Sequence, residues 1–443
     1  MFLRYKKRLF ILIVGDLICF YRALILALAL RYGVDNLGTS FFNSFYHFTL
    51  IFLIWMVLFT ISRMYEFSYL ENKREFYFLA LKLFLVGSLL ATIIFYLLTP
   101  EFIPKLVLVL VIVFSWIFLF FWRTAVNWLL KERKRKVFII SQAKEVEELK
   151  EFLEKHSSFG IEILEISEKF DYQKISERLK EDKEIIKDKK GVYFISDQNL
   201  KDLKSLLKEA KVKKHFLSFE DFYEQITGKV PLSLLNEEWF KKYYFSKKHF
   251  FYEIIKRFFD IFGGIILFIV SLPFWPIIGI LIKLDSSGEI LYKSKRIGKN
   301  GKEFLIYKFR TMVKEADKIG PSWTLENDKR ITKVGKFLRY SHLDEIPQVL
   351  NILKGDTSFV GPRPEEKRLV ELFKKEIPFY EKRMLIKPGI IGWAQINYPH
   401  GASIEDATQK LKYDFYYLKY RSLSFDFLIA LKAWRIPFEI KTH

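Results

Sequence analysis

Four long apolar runs fill the first third of the chain, at residues 9–30, 45–61, 76–98 and 103–130, each near or above the ~20 residues that carry a helix across a bilayer. Lipid offers no partner to a bare N–H or C=O, so such runs are confined to helices, and four transmembrane helices are predicted. Composition agrees: 51% hydrophobic and 18% aromatic residues are more than a soluble chain of 443 residues usually holds. The first run outlasts a signal-peptide core and lacks a small-residue cleavage site, so it is expected to stay attached. Arg4, Lys6, Lys7 and Arg8 precede it, and Lys131, Arg133, Lys134, Arg135 and Lys136 follow the fourth, whereas the loops at 31–44 and 99–102 hold few basic residues. Both ends of the bundle are therefore assigned to the cytoplasmic side. Asp16 and Arg22, inside the first run, are expensive in lipid and are expected to face other helices.

The formal charge of +21, from 72 basic against 51 acidic residues, favours anionic partners: lipid headgroups, phosphorylated substrates or nucleic acid. The single cysteine, Cys19, lies inside an apolar run, which excludes intramolecular disulfides and cysteine-zinc clusters and fits soluble parts in a reducing cytoplasm. From residue 136 the composition turns soluble, with strand patterns at 137–140, 161–166 and 191–196 alternating with helical ones, as in a small parallel α/β domain. A phosphate-binding turn would need clustered glycines after the first strand; the chain reads SQAKEVEE (141–148), so a scaffold or regulatory role is expected there instead. The segment EEWFKKYYFSKKHFFYE (237–253) is read as interfacial, with rings at the headgroups and lysines on anionic lipid.

A fifth apolar run, 258–284, contains Pro273 and Pro276. Each proline deprives a carbonyl one turn earlier, of Ile269 and of Leu272, of its N–H partner, and Ser271 can offer a hydroxyl in compensation. Bent at this point, each arm is about 13 residues or roughly 20 Å, too short to cross ~30 Å of hydrocarbon. Lys256 and Arg257 precede the run and Lys283, Lys293, Lys295 and Arg296 follow it, which leaves no basic-poor side. A re-entrant hairpin is expected.

Beyond it, SKRIGKNGKEFLIYKFRTM (294–312) gathers Lys295, Arg296, Lys308 and Arg310 around a glycine turn, and on pattern alone reads equally well as a solvated basic hairpin. LDEIPQVLNIL (343–353) is predicted to be a helix, with Pro347 tolerated in its first turn, Ile346, Val349, Leu350 and Leu353 on an apolar face and Gly355 as its stop. Asp344 and Glu345 then sit at a helix N-terminus, where a carboxylate stays ionised and a phosphate is welcome. Arg339, Asp356 and Arg363 flank the pair, which separates it from an ordinary acidic N-cap. His342 and His400 are expected to be structural, Gly389 and Gly392 to set turns, and Lys387 to be available to a phosphate. SFDFLIALKAWRIPF (424–438) has the stripe of an interfacial or a core helix, with Lys432 and Arg435 outside the stripe.

From about residue 254 onward, KRFFDI, SLP, YKFRTM, LDEIPQ, LKGDTSFVGPRP, KPGIIGWAQIN and YDFYYLK follow one another, and through them the chain resembles the bacterial sugar transferases, the monotopic polyprenyl-phosphate phosphoglycosyl transferases. Four preceding membrane helices, an α/β domain, FEDFYEQITGKVPLSLLNEEWF and YPHGASIEDA are similar to the long, exopolysaccharide-priming branch. The resemblance implies a multi-domain membrane protein: a four-helix transmembrane bundle (1–135), a small α/β Rossmann-like cytoplasmic domain (136–235), a linker or interfacial segment (236–253), and a mainly α-helical catalytic domain (254–443) with a re-entrant membrane helix hairpin. It also implies transfer of a sugar 1-phosphate from a UDP-sugar to undecaprenyl phosphate at the cytoplasmic face of the bacterial inner membrane. The phosphosugar is carried on Asp344, and Glu345 serves as metal support or as base. Mg²⁺ on Asp344 and Glu345 is implied, with Arg363, Arg339, Arg310, Lys308 and Arg296 toward phosphates, and Asp356, Pro364 and Asp414 as further active-site candidates. The product would feed downstream glycosyltransferases, and the bundle and α/β domain would serve a homodimer. The competing reading is a non-catalytic membrane scaffold or sensor of the polysaccharide machinery. A nucleic-acid binder ranks third, because no recognition motif accompanies the charge.

Overall fold

The four apolar runs form α1 (Phe2–Tyr32), α2 (Leu37–Ile61), α3 (Arg74–Leu98) and α4 (Lys105–Leu129) in the computed structural model. All four are long and apolar enough to cross a membrane. The structure describes residues 2–62, 64–65, 74–98, 105–129, 135–156, 159–169, 171, 173, 175, 177, 192–197, 214–244, 247–314, 316, 328–399, 401 and 403–433, and divides into two compact units, Met1–Gln225 and Ile226–His443. The basic run at 131–134 lies outside the described residues, as do His400 and Arg435.

In the bundle α1 packs on α2 and α4, and α3 on α2 and α4. Phe20, Phe52, Trp55, Phe59 and Phe84 fill its centre, where the Trp55 indole donates to the Phe84 carbonyl at 3.2 Å. Asp16 is fully buried and accepts from Arg123 Nη2 at 2.5 Å, from Arg123 Nε at 3.1 Å and from the Tyr65 hydroxyl at 3.0 Å. A carboxylate in lipid needs such a partner. Arg22, expected to face inward as well, is exposed on the bundle surface. Six residues turn a helix about 240° past Asp16, onto another face.

After the bundle come β1 (Arg135–Ile140), α5 (Val146–Lys155), β2 (Ile161–Ser167), β3 (Val192–Ser196) and β4 (Lys214–Ser218). They form a parallel sheet in the order β2-β1-β3-β4, with one strand more than the sequence pattern suggested, over a core of Phe138, Ile140, Val192 and Phe194.

The rest is largely helical. After α6 (Phe219–Thr227) comes α7 (Glu237–Tyr244), whose Trp239 and Phe240 are buried against Phe415 and Phe379 in the core of the second unit. The expectation that this aromatic stretch lies at the headgroups therefore fails for its first half, because its rings alternate at helical spacing and find a protein core. Its second half begins α8 (Lys247–Ser271), which continues to a 60° bend and α9 (Phe274–Asp285). The arms are thus 25 and 12 residues, not two of equal length. The break falls where the prolines placed it, between Ser271 and Phe274. Pro273 caps α9 and Pro276 is its third residue, positions whose N–H has no intrahelical partner in any case. Leu272 O accepts from Trp275 N at 3.2 Å, and Ser271 Oγ donates to Phe268 O at 3.2 Å while accepting from the Trp275 indole at 3.2 Å. The Ser271 hydroxyl thus reaches back to Phe268 O and not to either carbonyl the prolines affect, and the bend itself leaves Leu272 O with a partner.

Next are the antiparallel hairpin β5 (Leu291–Ile297) and β6 (Glu303–Phe309), α10 (Lys333–Tyr340), a 3₁₀ turn (Leu343–Gln348), α11 (Val349–Lys354) and β7 (Ser358–Val360). The chain closes through α12 (Lys367–Glu376), a 3₁₀ turn (Tyr380–Leu385), β8 (Gly389–Ile391), which pairs in parallel with β7, α13 (Trp393–Asn397), α14 (Ile404–Tyr420) and α15 (Leu423–Ala433). In α15 Ile429 is buried in the core and Phe427 is exposed, so this helix has one protein face.

Candidate active site

Asp344 and Glu345 lie in a 3₁₀ turn and not at the start of one continuous α-helix. Pro347 has no N–H to give to Leu343 O, so the α-helical pattern starts only after it. The turn is entered through His342, which is left-handed (φ 56°) and exposed, and it leads directly into α11. Asn351 of α11 is fully buried; its Nδ2 donates to Leu305 O at 2.6 Å and its Oδ1 accepts from Tyr307 N at 3.1 Å. One amide side chain thus extends the ladder of β6 and fixes the turn beside that strand.

Lys308, next along β6, donates to Glu345 Oε1 at 2.6 Å, and Arg363 Nη2 reaches the same oxygen at 3.2 Å. Asp344 accepts no hydrogen bond from any other described side chain and forms no ion pair among the described residues, although Lys308 and Arg339 act on it electrostatically. The two adjacent carboxylates are therefore unlike. Burial raises Asp344 above the usual carboxylate value, only partly offset by Lys308 and Arg339. Burial works against ionisation of Glu345 too, but Arg363 and Lys308 outweigh it and hold its pKa at about 2. Ionisation is thus favoured at Glu345 and made harder at Asp344, by burial, relative to a free carboxylate.

Arg339 is presented by α10. Gly335 of that helix sits so close to the preceding loop that a Cβ would fall 2.0 Å from Thr311 O, and one turn later Arg339 Nε donates to Thr311 Oγ1 at 2.8 Å. Arg363 is presented by the loop after β7, whose backbone is clamped: Arg383 Nη2 donates to Arg363 O at 3.0 Å, Nη1 to the Tyr380 hydroxyl at 2.8 Å and Nε to Asp414 Oδ2 at 2.9 Å. Pro364 is buried in the same loop. Asp414, expected among the active-site carboxylates, thus supports Arg363 from behind, and Arg383 went unnoticed because a lone arginine in YEKRML carries no motif.

Other candidates are placed elsewhere. Arg296 pairs with Glu366 at 3.0 Å, and Asp356 accepts from Asn351 Nδ2 at 3.4 Å. Arg310 lies at the end of α9, where its Nη2 donates to Ser286 O at 2.7 Å. The groups acting on Lys387 are Arg257, Asp260, Lys299 and Glu253, not the dyad. Gly389 sets no turn; a Cβ there would fall 2.0 Å from Gly361 N, so it permits close approach of β8 to the Arg363 loop. Among the described residues no cluster of three or more metal-ligating side chains occurs. Asp344 and Glu345 are the carboxylates that would hold Mg²⁺, an ion that takes one or two carboxylates and completes its shell with water and substrate phosphate.

Residues 251–439 match the family model described as "Bacterial sugar transferase". The chain is 40% identical, over 48% of its length and 49% of the relative's, to the UDP-N-acetylgalactosamine-undecaprenyl-phosphate N-acetylgalactosaminephosphotransferase of Aeromonas hydrophila. It is 38% identical, over 40% of its length and 39% of the relative's, to the UDP-glucose:undecaprenyl-phosphate glucose-1-phosphate transferase of Escherichia coli (strain K12). With the exopolysaccharide production protein PSS of Rhizobium leguminosarum bv. phaseoli it shares 38% identity over 40% of its length and 91% of the relative's. The chain thus spans half or less of the first two relatives and nearly the whole of the third.

Two of the arginine pairs in this unit should differ in weight. Arg383→Met strands buried Asp414 and is expected to destabilise by about 3 kcal/mol, whereas Arg296→Met, at a half-exposed pair, should cost less than about 1 kcal/mol. Thermal unfolding of the purified protein compares them, and equal losses would contradict the clamp.

Proposed function

The chain belongs to the bacterial sugar transferase family, and from that premise we propose that it moves a sugar 1-phosphate from a UDP-sugar to undecaprenyl phosphate through a phosphosugar held on Asp344. The observation that carries this reading is the unequal pair: Glu345 is engaged by two cations while the neighbouring Asp344 carboxylate is left uncommitted. An Asp344 oxygen attacks the sugar-bearing phosphorus, and the bond from that phosphorus to the bridging oxygen breaks, so that UMP leaves with the bridging oxygen and its electron pair. An oxygen of the lipid phosphate then attacks the same phosphorus, the aspartyl P–O bond breaks, and the carboxylate is restored. Lys308, Arg363 and Arg339 neutralise the phosphate charge that would otherwise repel the attacking carboxylate. Glu345 is read as the residue that holds Lys308 and Arg363 in place; a carboxylate with a pKa of about 2 is a poor base, and the lipid phosphate is already ionised. Mg²⁺ held by Asp344 and Glu345 would supply further neutralisation of the diphosphate.

We read α8 and α9 as a re-entrant hairpin in the bacterial inner membrane, with the active site on the cytoplasmic face. Both arms dock on the same folded unit. Gly263 and Gly264 of α8 lie against Phe359 and Leu353, and Ile278 and Ile282 of α9 pack with Phe309 and Leu338. Only the tip is left to project, and seven residues of helix, 265–271, reach about 10 Å, which supports entry and return over crossing. The parallel sheet is read as a Rossmann-like scaffold. Asp197 supports that role, because it accepts from Ser141 Oγ at 2.8 Å and from Gln142 N at 3.0 Å and so occupies the turn where a phosphate would need free N–H groups. The product would prime exopolysaccharide or another surface glycan for downstream glycosyltransferases, and the bundle and sheet offer surfaces for a homodimer.

Asp344→Asn is expected to lower UMP release from UDP-sugar and undecaprenyl phosphate by at least about a thousandfold and to abolish the covalent adduct seen by mass spectrometry; full turnover would overturn the nucleophile assignment. The acid limb of kcat/KM should follow Asp344, falling through a midpoint above 3.8. Lys308→Met, which removes a cation that favours the ionised form, should move that midpoint upward, and a downward move would contradict the assignment. A cysteine at exposed Ser287 should resist a membrane-impermeant thiol reagent on intact cells and react in inverted vesicles; labelling from outside would sink the re-entrant reading.

A further inference from the structure

Arg310 is a buried cation for which no anion is found among the described residues. It is 8% exposed, and its Nη2 is taken by Ser286 O at 2.7 Å, Ser286 Oγ at 3.0 Å and Ile282 O at 3.4 Å, all at the end of α9. Among the described residues its Nε and Nη1 have no hydrogen-bond partner, and burial disfavours its charged form. Donors left in this state carry a desolvation penalty that a structural cap alone does not explain. Above Nη1 lies Gly288 (φ 124°), where a Cβ would fall 2.3 Å from the nitrogen. Only a glycine keeps this approach open.

The position indicates the class of ligand. Arg310 stands at the end of α9 away from the bend, beside a helix whose Ile277, Ile280, Leu281 and Leu284 are exposed and so offered to a lipid chain. Along the strand it follows Lys308 by two residues, or ~7 Å, near enough for a phosphate held here to meet a phosphorus carried at Asp344, yet apart from the Lys308–Glu345–Arg363 cluster. We propose that Arg310 receives the phosphomonoester of the polyprenyl acceptor, in a subsite distinct from the one that holds the donor diphosphate; the proposal rests on the transferase reading above.

The test uses the purified full-length protein. Arg310→Gln should raise the KM for undecaprenyl phosphate at least tenfold while moving the KM for UDP-sugar less than twofold, and Arg310→Lys should recover part of the loss. Gly288→Ala, whose methyl would crowd Nη1 and displace the guanidinium while keeping its charge, should reproduce the acceptor-specific effect, and it carries the test if Arg310→Gln does not fold. Dodecyl phosphate should raise the thermal midpoint of the wild type by several degrees and that of Gly288→Ala by less, a readout independent of turnover. If the wild type releases no UMP, the transferase reading fails, and the subsite is then judged on dodecyl phosphate alone. Equal changes in the two KM values, or a loss confined to kcat and thermal stability, would reduce Arg310 to a helix cap and overturn the subsite. Retained response to dodecyl phosphate with lost response to phosphatidylglycerol vesicles would assign the site to a phospholipid headgroup instead.

Discussion

The catalytic unit depends on a polar stripe down one side of an otherwise apolar helix. Along α8 the buried positions are Tyr252, Lys256, Asp260, Gly264 and Ser271, while Phe258, Phe259, Phe262, Ile265, Ile266 and Ile269 are exposed. This is the reverse of a soluble amphipathic helix, and it suits one whose surroundings are lipid. Adjoining the stripe, Arg257 donates to Ile352 O at 2.6 Å and Leu353 O at 2.8 Å, carbonyls at the end of α11. Asp260 accepts from Ser358 Oγ at 2.9 Å and Phe359 N at 3.2 Å at the start of β7. One turn of this helix thereby holds the segment that follows the dyad and the strand that precedes Arg363.

Other elements of this unit are held by bonds of the same type. Tyr252 and Lys256 reach Asp426 of α15 at 2.7 and 2.5 Å, and Tyr417 of α14 closes the same cluster at 2.8 Å. Asn351 ties α11 to β6, and Arg383 ties the Arg363 loop to α14. The groups that would meet substrate, Asp344, Lys308, Arg339 and Arg363, are thus long or short side chains on a backbone that has little freedom left. Such preorganisation is what electrostatic catalysis of phosphoryl transfer requires.

Apolar length and charge asymmetry made the four bundle helices legible, because a bilayer imposes a single periodicity on every span. The dyad and Arg363 were legible through their motif, and Gly355 through its left-handed stop at φ 91°. What stayed hidden were partners distant in sequence: Arg123 for Asp16, Arg383 for Asp414, Asp426 for Lys256. A single sequence lists charges without saying which of them meet. The prolines marked the break correctly but not the arm lengths, since α8 begins well before the apolar run does. Trp239 and Phe240 misled, as ring and lysine content does not distinguish an interface from a core edge.

His342 is two residues from the proposed nucleophile and would attract attention in any search for an acid or base. Its backbone gives a plainer account. At φ 56° it makes the reversal between α10, which carries Arg339, and the turn that carries Asp344, and its side chain faces solvent. Residues that tolerate this conformation, such as Asn, Asp and Gly, share little chemistry with imidazole. Variation at this position among related chains should therefore follow tolerance for a left-handed backbone and not proton transfer, and a polar residue so near the reaction owes its place to the direction in which it turns the chain.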